Sequence, residues 1–200
     1  MMKNCQKPYA TLLLAGIGNE LLMDDGVGIH VTRLLKNDPL PGVETLEVGT
    51  DFMSMAPHVE SYPKLLIIDA MDAGGEPGTI FYGTFEELAP HQERMSAHEF
   101  GLKSMLEFVE PRLRPRIYVL GIQPETIGFG LDLSPRLKAR LPVIFEAARA
   151  TALRLVLDFC QDFLSGMSHL ASPATDSPPE GQRIQNASAR KISELNGHLS

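Results

Sequence analysis

Short apolar runs, each bounded by glycine, proline or charged residues, recur through most of the chain. Runs of roughly four to eight residues that are rich in β-branched side chains predict β-strands. The predicted strands are residues 10–17, 43–48, 64–71, 78–85 and 115–122. The run Leu65–Ile68 contains no polar residue, which is typical of a strand buried on both faces of a sheet.

Apolar residues at helical spacing occupy several of the gaps between these strands. Two such faces predict helices that cover the sheet, and they are formed by Val27, Val31, Leu34 and Leu35, and by Leu102, Met105, Leu106 and Val109. A longer stripe runs from Leu141 to Phe159 and follows Ser134-Pro135, a pair suited to capping and starting a helix. Pro142 lies inside this stripe, so we expect a kink or a new helix start there.

The alternation of strands and helices predicts an α/β domain of three layers. In this fold, a mostly parallel, twisted five-stranded sheet carries helices on both faces. Residues 72–78 are too few for a crossover helix, so we expect the fourth strand to be an antiparallel edge strand. We predict one domain over residues 1–164 and a disordered polar tail over 165–200, because the tail has seven serines and three prolines but little apolar periodicity.

Amino-acid composition and net charge indicate which classes of protein and of partner fit this chain. The chain of 200 residues is 44% hydrophobic and carries a formal charge of −7, which argues against general binding to nucleic acid or to anionic membranes. No apolar run is long enough to span a bilayer, and the N-terminal residues lack the apolar centre of a signal peptide. The two cysteines form no disulfide framework, so a soluble cytoplasmic protein is expected.

The turn after the first predicted strand, GIGNELLMDDGVG at residues 16–28, combines glycines with carboxylates. A dinucleotide fingerprint would need a third glycine where Leu21 stands. Asp24 and Asp25 lie where the next helix should begin, and carboxylates there would repel a phosphate. The turn is therefore a poor phosphate loop, and the aspartates are interpreted either as helix caps or as metal ligands.

Two further segments carry side chains that can bind a metal. Asp69 ends the buried third strand, and ligands of doubly wound sheets bind beyond the carboxyl ends of the strands. His98 is placed at the start of the helix that follows the fourth strand. Each has an ordinary alternative role, as a turn former or as a surface or capping group. Together with an aspartate, they would form a three-ligand site with open positions, suited to a borderline divalent ion such as nickel or zinc.

On these motifs, the sequence resembles the nickel-iron hydrogenase maturation endopeptidases. The matching motifs appear in the family's order and span about residues 10–160 of the chain. They are Gly16-Ile17-Gly18-Asn19 through Asp24-Asp25-Gly26-Val27-Gly28, Ile67-Ile68-Asp69-Ala70, Ser96-Ala97-His98-Glu99-Phe100-Gly101-Leu102, and Gly121-Ile122-Gln123-Pro124-Glu125 followed by Leu133-Ser134-Pro135.

The resemblance implies a hydrolase of the aspartic or metal-dependent type. Such a protease removes the C-terminal extension of a hydrogenase large-subunit precursor after nickel has been inserted. The implied metal ligands are Asp25, Asp69 and His98, and the first two are also candidate catalytic residues. Asp24 is expected to cap or support the site, and Glu20 is not assigned as a ligand because its position varies in the family.

The resemblance also carries expectations about metal and partners. The implied metal is nickel carried by the precursor, with zinc or another divalent cation able to occupy the same site. The implied partner is that precursor, and the enzyme is expected to be a monomer with no nucleic-acid or membrane partner.

The sequence leaves the role of the metal open. A bound ion could activate water as a Lewis acid, or the ion could be the precursor's own nickel, read as a signal that insertion is complete. The resemblance favours the second, as does the lack of an HExxH motif. The alternative functions are a non-enzymatic chaperone that checks the nickel-loaded subunit and a nucleotide-binding module.

Overall fold

The computed structural model describes residues 10–88 and 97–170, with side chains for residues 10–88 and 101–161. The strands are β1 (Leu12–Ile17), β2 (Val43–Gly49), β3 (Lys64–Ala70), β4 (Ile80–Thr84) and β5 (Arg116–Ile122). The helices are α1 (Val27–Asn37), α2 (Ala56–Val59), α3 (Phe85–Leu88), α4 (Ala97–Glu107) and α5 (Pro135–Leu170). Turns of 3-10 helix cover Met23–Gly26, Phe52–Met55 and Pro111–Leu113. Within the described ranges, no helix is both long and apolar enough to cross a membrane.

The five strands form one mixed sheet in the order β2-β1-β3-β5-β4. β4 pairs with β5 in antiparallel orientation at the edge, and all other neighbouring strands are parallel. The predicted antiparallel edge strand is therefore confirmed. Strand order reverses between β1 and β3, since the chain continues outward to β2 on one side and to β5 on the other. Such a switch point opens a crevice at the carboxyl ends of the strands, where ligands of these folds bind.

Helices cover both faces of the sheet, which confirms the predicted three layers. Alternate residues of β1 separate the two cores, because side chains along a strand point to opposite faces. Leu12 and Leu14 pack with α1 and α5, whereas Leu13 and Ala15 pack with α2, α4 and the turn Phe52–Met55. Burial on both faces explains why β1 and β3 are almost continuously apolar.

The observed helices differ from the predicted apolar stripes in which end residues are buried and in where the helices begin. Leu34 is 39% exposed although it shares the helical face of Val27, Val31 and Leu35, which are buried. α4 begins at Ala97, before the stripe that starts at Leu102. The connection from β2 to β3, where no helix is predicted, contains the turn Phe52–Met55 and the short α2, and Phe52, Met55, Ala56 and Val59 stand there at helical spacing.

The last helix corrects two expectations. The hydroxyl of Ser134 accepts the N–H of Leu137 at 3.3 Å, which confirms the predicted cap. One continuous helix spans Pro142 and reaches Leu170, so a new start at Pro142 is wrong, whereas the alternative of a kink there stays a prediction. Residues 165–170 are helical, so the predicted tail begins too early; the residues from 159 to 170 retain apolar positions at helical spacing. Residues 171–200 lie outside the described residues.

Candidate functional site

Glycines bring the start of α1 into direct contact with the sheet at the switch point. A Cβ atom on Gly28 would overlap the carbonyl oxygens of Ile17 and Ile68, at the carboxyl ends of β1 and β3. A Cβ atom on Gly16 would in turn overlap the carbonyl oxygen of Gly28 and the side chain of Thr32. The glycines of this motif therefore allow helix-to-strand contact within the chain.

Two of the predicted metal ligands lie at this point of contact. Asp25 is part of the 3-10 turn Met23–Gly26, which packs against β3, and it precedes Gly28 by one helical turn. Asp69 directly follows Ile68 in β3 and is only 9% exposed. The Oδ2 atom of Asp25 accepts the N–H of Asn19 at 2.8 Å. The switch point thus holds the turn of Asp25 beside the strand end of Asp69.

The third predicted ligand, His98, lies in the first turn of α4, and its side chain is outside the described residues. In the same helix, a Cβ atom on Gly101 would come within 2.5 Å of the ring of Phe52. Phe52 lies beyond the carboxyl end of β2, so α4 begins at the same edge of the sheet as the two aspartates. Among the described side chains, which exclude that of His98, no group of three His, Cys, Asp or Glu residues is arranged to hold an ion.

The backbone amides of the turn after β1 donate to acceptors within the protein. Gly18 donates its N–H to the carbonyl of Gly49 at 3.2 Å, and Leu22 donates to the carbonyl of Asn19 at 2.9 Å. Asn19 donates to Asp25, and Leu21 donates to the side chain of Asn19 at 3.0 Å. A phosphate loop needs such amides to point at the ligand, so this geometry argues against the nucleotide-binding alternative.

Asp24 has a different environment from Asp25. It is fully buried, and its two oxygens accept three backbone N–H groups from the segment after β5. The donors are Glu125 and Thr126, each at 2.9 Å, and Ser134 at 2.7 Å. The structure therefore agrees with the expectation that Asp24 supports the site, because both of its carboxylate oxygens are engaged within the chain.

Backbone hydrogen bonds join the same two segments. Met23 donates to the carbonyl of Gly130 at 3.0 Å, and Gly130 donates to the carbonyl of Leu21 at 3.0 Å. Met23 has φ of 52°, in the left-handed region that a residue other than glycine occupies only when its surroundings hold it there. Residues 19–25 and 125–134 consequently act as one unit, which we call the paired loops. Apart from the turn-forming glycines, no feature of the sequence predicts this pairing.

Gln123 holds the backbone beside the candidate site, a role that the sequence motifs do not assign to it. Its buried side-chain oxygen accepts the N–H groups of Ala73 and Gly75, each at 3.0 Å, and its nitrogen donates to Asp72 at 2.8 Å. These bonds hold the turn that follows β3, and so they hold the backbone just beyond Asp69. The only sequence signal was its place in the motif Gly121–Glu125.

Glu20 forms an ion pair at the surface and is not a candidate metal ligand. Its carboxylate binds the guanidinium of Arg33 through two hydrogen bonds, at 2.8 and 3.1 Å. The hydrogen bond from Arg33 holds the pKa of Glu20 below its usual value of 4.5. Arg33 also bonds Glu47, whose pKa is raised by burial but lowered overall by Arg33 and Lys36. This exposed network ties the loop of Glu20 to α1.

Comparisons with known sequences give the same assignment as the motifs. A family model of hydrogenase maturation proteases matches residues 29–151. The hydrogenase expression/formation protein HoxM of Azotobacter vinelandii is 32% identical over 155 residues, which cover 74% of this chain and 71% of that protein. The hydrogenase 2 maturation protease of Escherichia coli is 29% identical, over 72% of this chain and 90% of that protein.

Solved structures agree with the sequence matches. The hydrogenase maturating endopeptidase HybD from E. coli superposes with a TM-score of 0.63 at 25% identity, covering 72% of this chain and 92% of that one. The [NiFe] hydrogenase maturation protease HybD from Thermococcus kodakarensis has a TM-score of 0.59 at 32% identity, covering 70% and 98%. The fold, with its paired loops at the carboxyl edge of the sheet, agrees with these matches. This chain belongs to the hydrogenase maturation protease family.

Proposed function

We propose that this chain is an endopeptidase that removes the C-terminal extension of a nickel-iron hydrogenase large-subunit precursor after nickel insertion. In this proposal, nickel held by the precursor is part of the substrate. Asp25, Asp69 and His98 bind it and so distinguish a loaded precursor from an empty one. Membership in the family supports proteolytic activity, and the sequence motifs support the set of three ligands.

One observation carries the proposal: the turn of Asp25 packs against β3, and Gly28, one helical turn later, meets the carbonyl of Ile68, the residue that precedes Asp69. Two carboxylates at one crevice suit a divalent cation, and an imidazole from the start of α4 would complete a site of oxygen and nitrogen ligands. Three ligands from the protease leave coordination positions for atoms of the precursor.

The proposed reaction is hydrolysis of one peptide bond. The oxygen of a water molecule bonds to the scissile carbonyl carbon, the C–N bond breaks, and the released amine takes up a proton. Asp25 or Asp69 accepts the proton from water, since a carboxylate near the scissile bond can act as a general base. Cys160 is exposed on α5 and takes no part.

The test is release of the C-terminal peptide from purified, nickel-loaded precursor, followed by mass spectrometry. Asp25→Ala, Asp69→Ala and His98→Ala should each remain folded and release the peptide at least about 100-fold more slowly, since each removes a ligand or its second role as base. The matched control is Asp38→Ala, an exposed carboxylate at the far end of α1. Full trimming by His98→Ala would contradict the ligand assignment, and stable binding without peptide release would favour the chaperone alternative.

A second experiment tests whether the metal at the site is carried by the precursor or bound by the protease itself. The protease is stripped with a chelator, separated from it, and mixed with precursor that is either nickel-loaded or metal-free. We expect trimming of the loaded precursor alone. Activity that returns only when a divalent cation is added back to the stripped protease would instead indicate a resident catalytic ion.

A further inference from the structure

An exposed apolar patch lies on the paired loops, beside the candidate metal site. Its members are Leu21, 59% exposed, Ile127, 54%, Phe129, 95%, and Leu131, 73%. Scattered exposed leucines are normal on protein surfaces, but neighbouring large apolar side chains on one loop pair usually mark a binding surface.

The exposure is built into the fold, because the backbone that carries these side chains is tied down. Gly130 lies between Phe129 and Leu131. Its N–H donates to the carbonyl of Leu21, and its carbonyl accepts the N–H of Met23. A Cβ atom on Gly130 would come within 2.8 Å of the Met23 side chain, so a larger residue there would have to displace that side chain. Directly after the patch, Leu133 and Ser134 are buried. The loop is therefore held at both ends while its apolar side chains face solvent.

Asp24 couples this patch to the candidate metal site. The carboxylate of Asp24 binds the backbone of Glu125 and Thr126, which precede the patch, and the next residue in the chain is Asp25. The patch and Asp25 are therefore carried by the same pair of loops.

Charge and apolar exposure indicate which molecule this is. The same edge of the sheet carries Asp25 and Asp69, with Asp72 on the turn that follows β3, and this acidic edge complements a segment that carries a cation. The patch adds four exposed apolar side chains, of which Phe129 is the most exposed. A polypeptide segment that carries both a cation and apolar side chains fits both features.

We infer that the patch docks an apolar stretch of the precursor polypeptide, adjacent to the metal that the precursor carries. This inference rests on the proposed function and adds to it a surface for substrate recognition that is separate from the metal ligands. Phe129 is expected to contribute most, because it offers a large aromatic side chain that is almost fully available to a partner.

The test compares Phe129→Ser with Phe108→Ser in the full chain. Phe108 is 72% exposed, lies just beyond the end of α4 and is absent from the paired loops, so it controls for loss of an exposed phenylalanine. Trimming of nickel-loaded precursor is measured over a range of precursor concentrations. We expect Phe129→Ser to raise KM about tenfold or more with kcat and thermal unfolding unchanged, and Phe108→Ser to match the wild type.

Other outcomes are informative in different ways. If the wild-type chain releases no peptide, the proposed function fails and the docking inference fails with it. If the wild type trims but Phe129→Ser has an unchanged KM, or both variants raise KM equally, the inference is overturned and the proposed function stands. A fall in kcat alone would mean that the loop shapes the site without docking the precursor. A wild-type dimer in sedimentation that Phe129→Ser dissociates would mean that the patch binds a second copy of the chain.

Discussion

Two consecutive aspartates, Asp24 and Asp25, serve separate purposes because the 3-10 turn points them into different surroundings. Asp24 is enclosed and saturated with backbone donors, while Asp25 is half-buried beside β3. From sequence alone the two carboxylates are nearly equivalent, apart from the family pattern. Their difference in burial agrees with the proposal that Asp24 supports the candidate site and Asp25 binds the metal.

Replacing Asp24 with alanine should destabilise the chain. The change leaves three backbone N–H groups without their acceptor, including that of the buried Ser134, so we expect the free energy of unfolding to fall by about 2–4 kcal/mol. Urea denaturation measures this change.

The control for Asp24→Ala is Asp132→Ala, which removes a carboxylate that is 82% exposed and paired with Lys138 at the surface. That change should alter the free energy of unfolding by less than about 0.5–1 kcal/mol. Equal stability of the two variants would show that the three hydrogen bonds of Asp24 contribute little to the folded state.

At the scale of elements, the contact of α1 with β1 and β3 positions the site. The glycines at 16 and 28 remove the side chains that would keep helix and sheet apart, and the helix start then lies against two strand ends. The carboxylate of Asp25 is carried on the turn that leads into this contact. The geometry of the site therefore depends on a close backbone approach far more than on any one side chain.

Gly28→Ala tests this dependence. The new methyl group would overlap two carbonyl oxygens of the sheet, backbone atoms that cannot move without disturbing the strands. We expect a loss of more than about 3 kcal/mol in the free energy of unfolding, or a failure to fold, as judged by denaturation and by circular dichroism.

Gly128→Ala is the matched substitution for Gly28→Ala. At Gly128 a Cβ atom would find only ordinary contact with Thr126 at 3.9 Å, and the residue has no positive φ. Its stability should stay the same or rise by up to about 1 kcal/mol, since alanine reduces the entropy of the unfolded chain. If both variants lose stability to the same extent, close approach at Gly28 is not the cause.

At the scale of the whole molecule, the described part of α5 both closes the domain and extends past it. Its deeply buried residues run from Leu137 to Leu155 and complete the core on the α1 side of the sheet. The helix then continues to Leu170.

We predict that a chain ending at residue 170 folds and trims the precursor as the full chain does. The physical reason is that, among the α5 side chains that the structure describes, which end at residue 161, the buried ones lie well before this cut. Thermal unfolding and the peptide-release assay measure the two properties. A chain cut after residue 150 provides the contrast, because it lacks Ala152 and Leu155 of the core and should unfold. Lost trimming with intact folding would identify residues 171–200 as a docking segment for the precursor.

The sequence by itself determined the five strands, the three longer helices and their layers, since apolar periodicity reports directly which side chains must be buried. All five strands, the antiparallel edge strand and the cap at Ser134 followed from that local information. The sequence also indicated Asp25, Asp69 and His98 through motif order, and that ligand set stays a prediction.

Only the tertiary structure decided how the segments meet. The pairing of residues 19–25 with 125–134 joins positions about a hundred residues apart, through backbone donors that every amino acid except proline carries. Such bonds leave no residue-type signature, so neither the burial of Asp24 nor the anchoring by Gln123 could be read from the chain. The apolar patch at Phe129 depends on the same pairing, because a hydrophobic residue signals burial in a sequence, and only the folded loops reveal that these side chains face solvent.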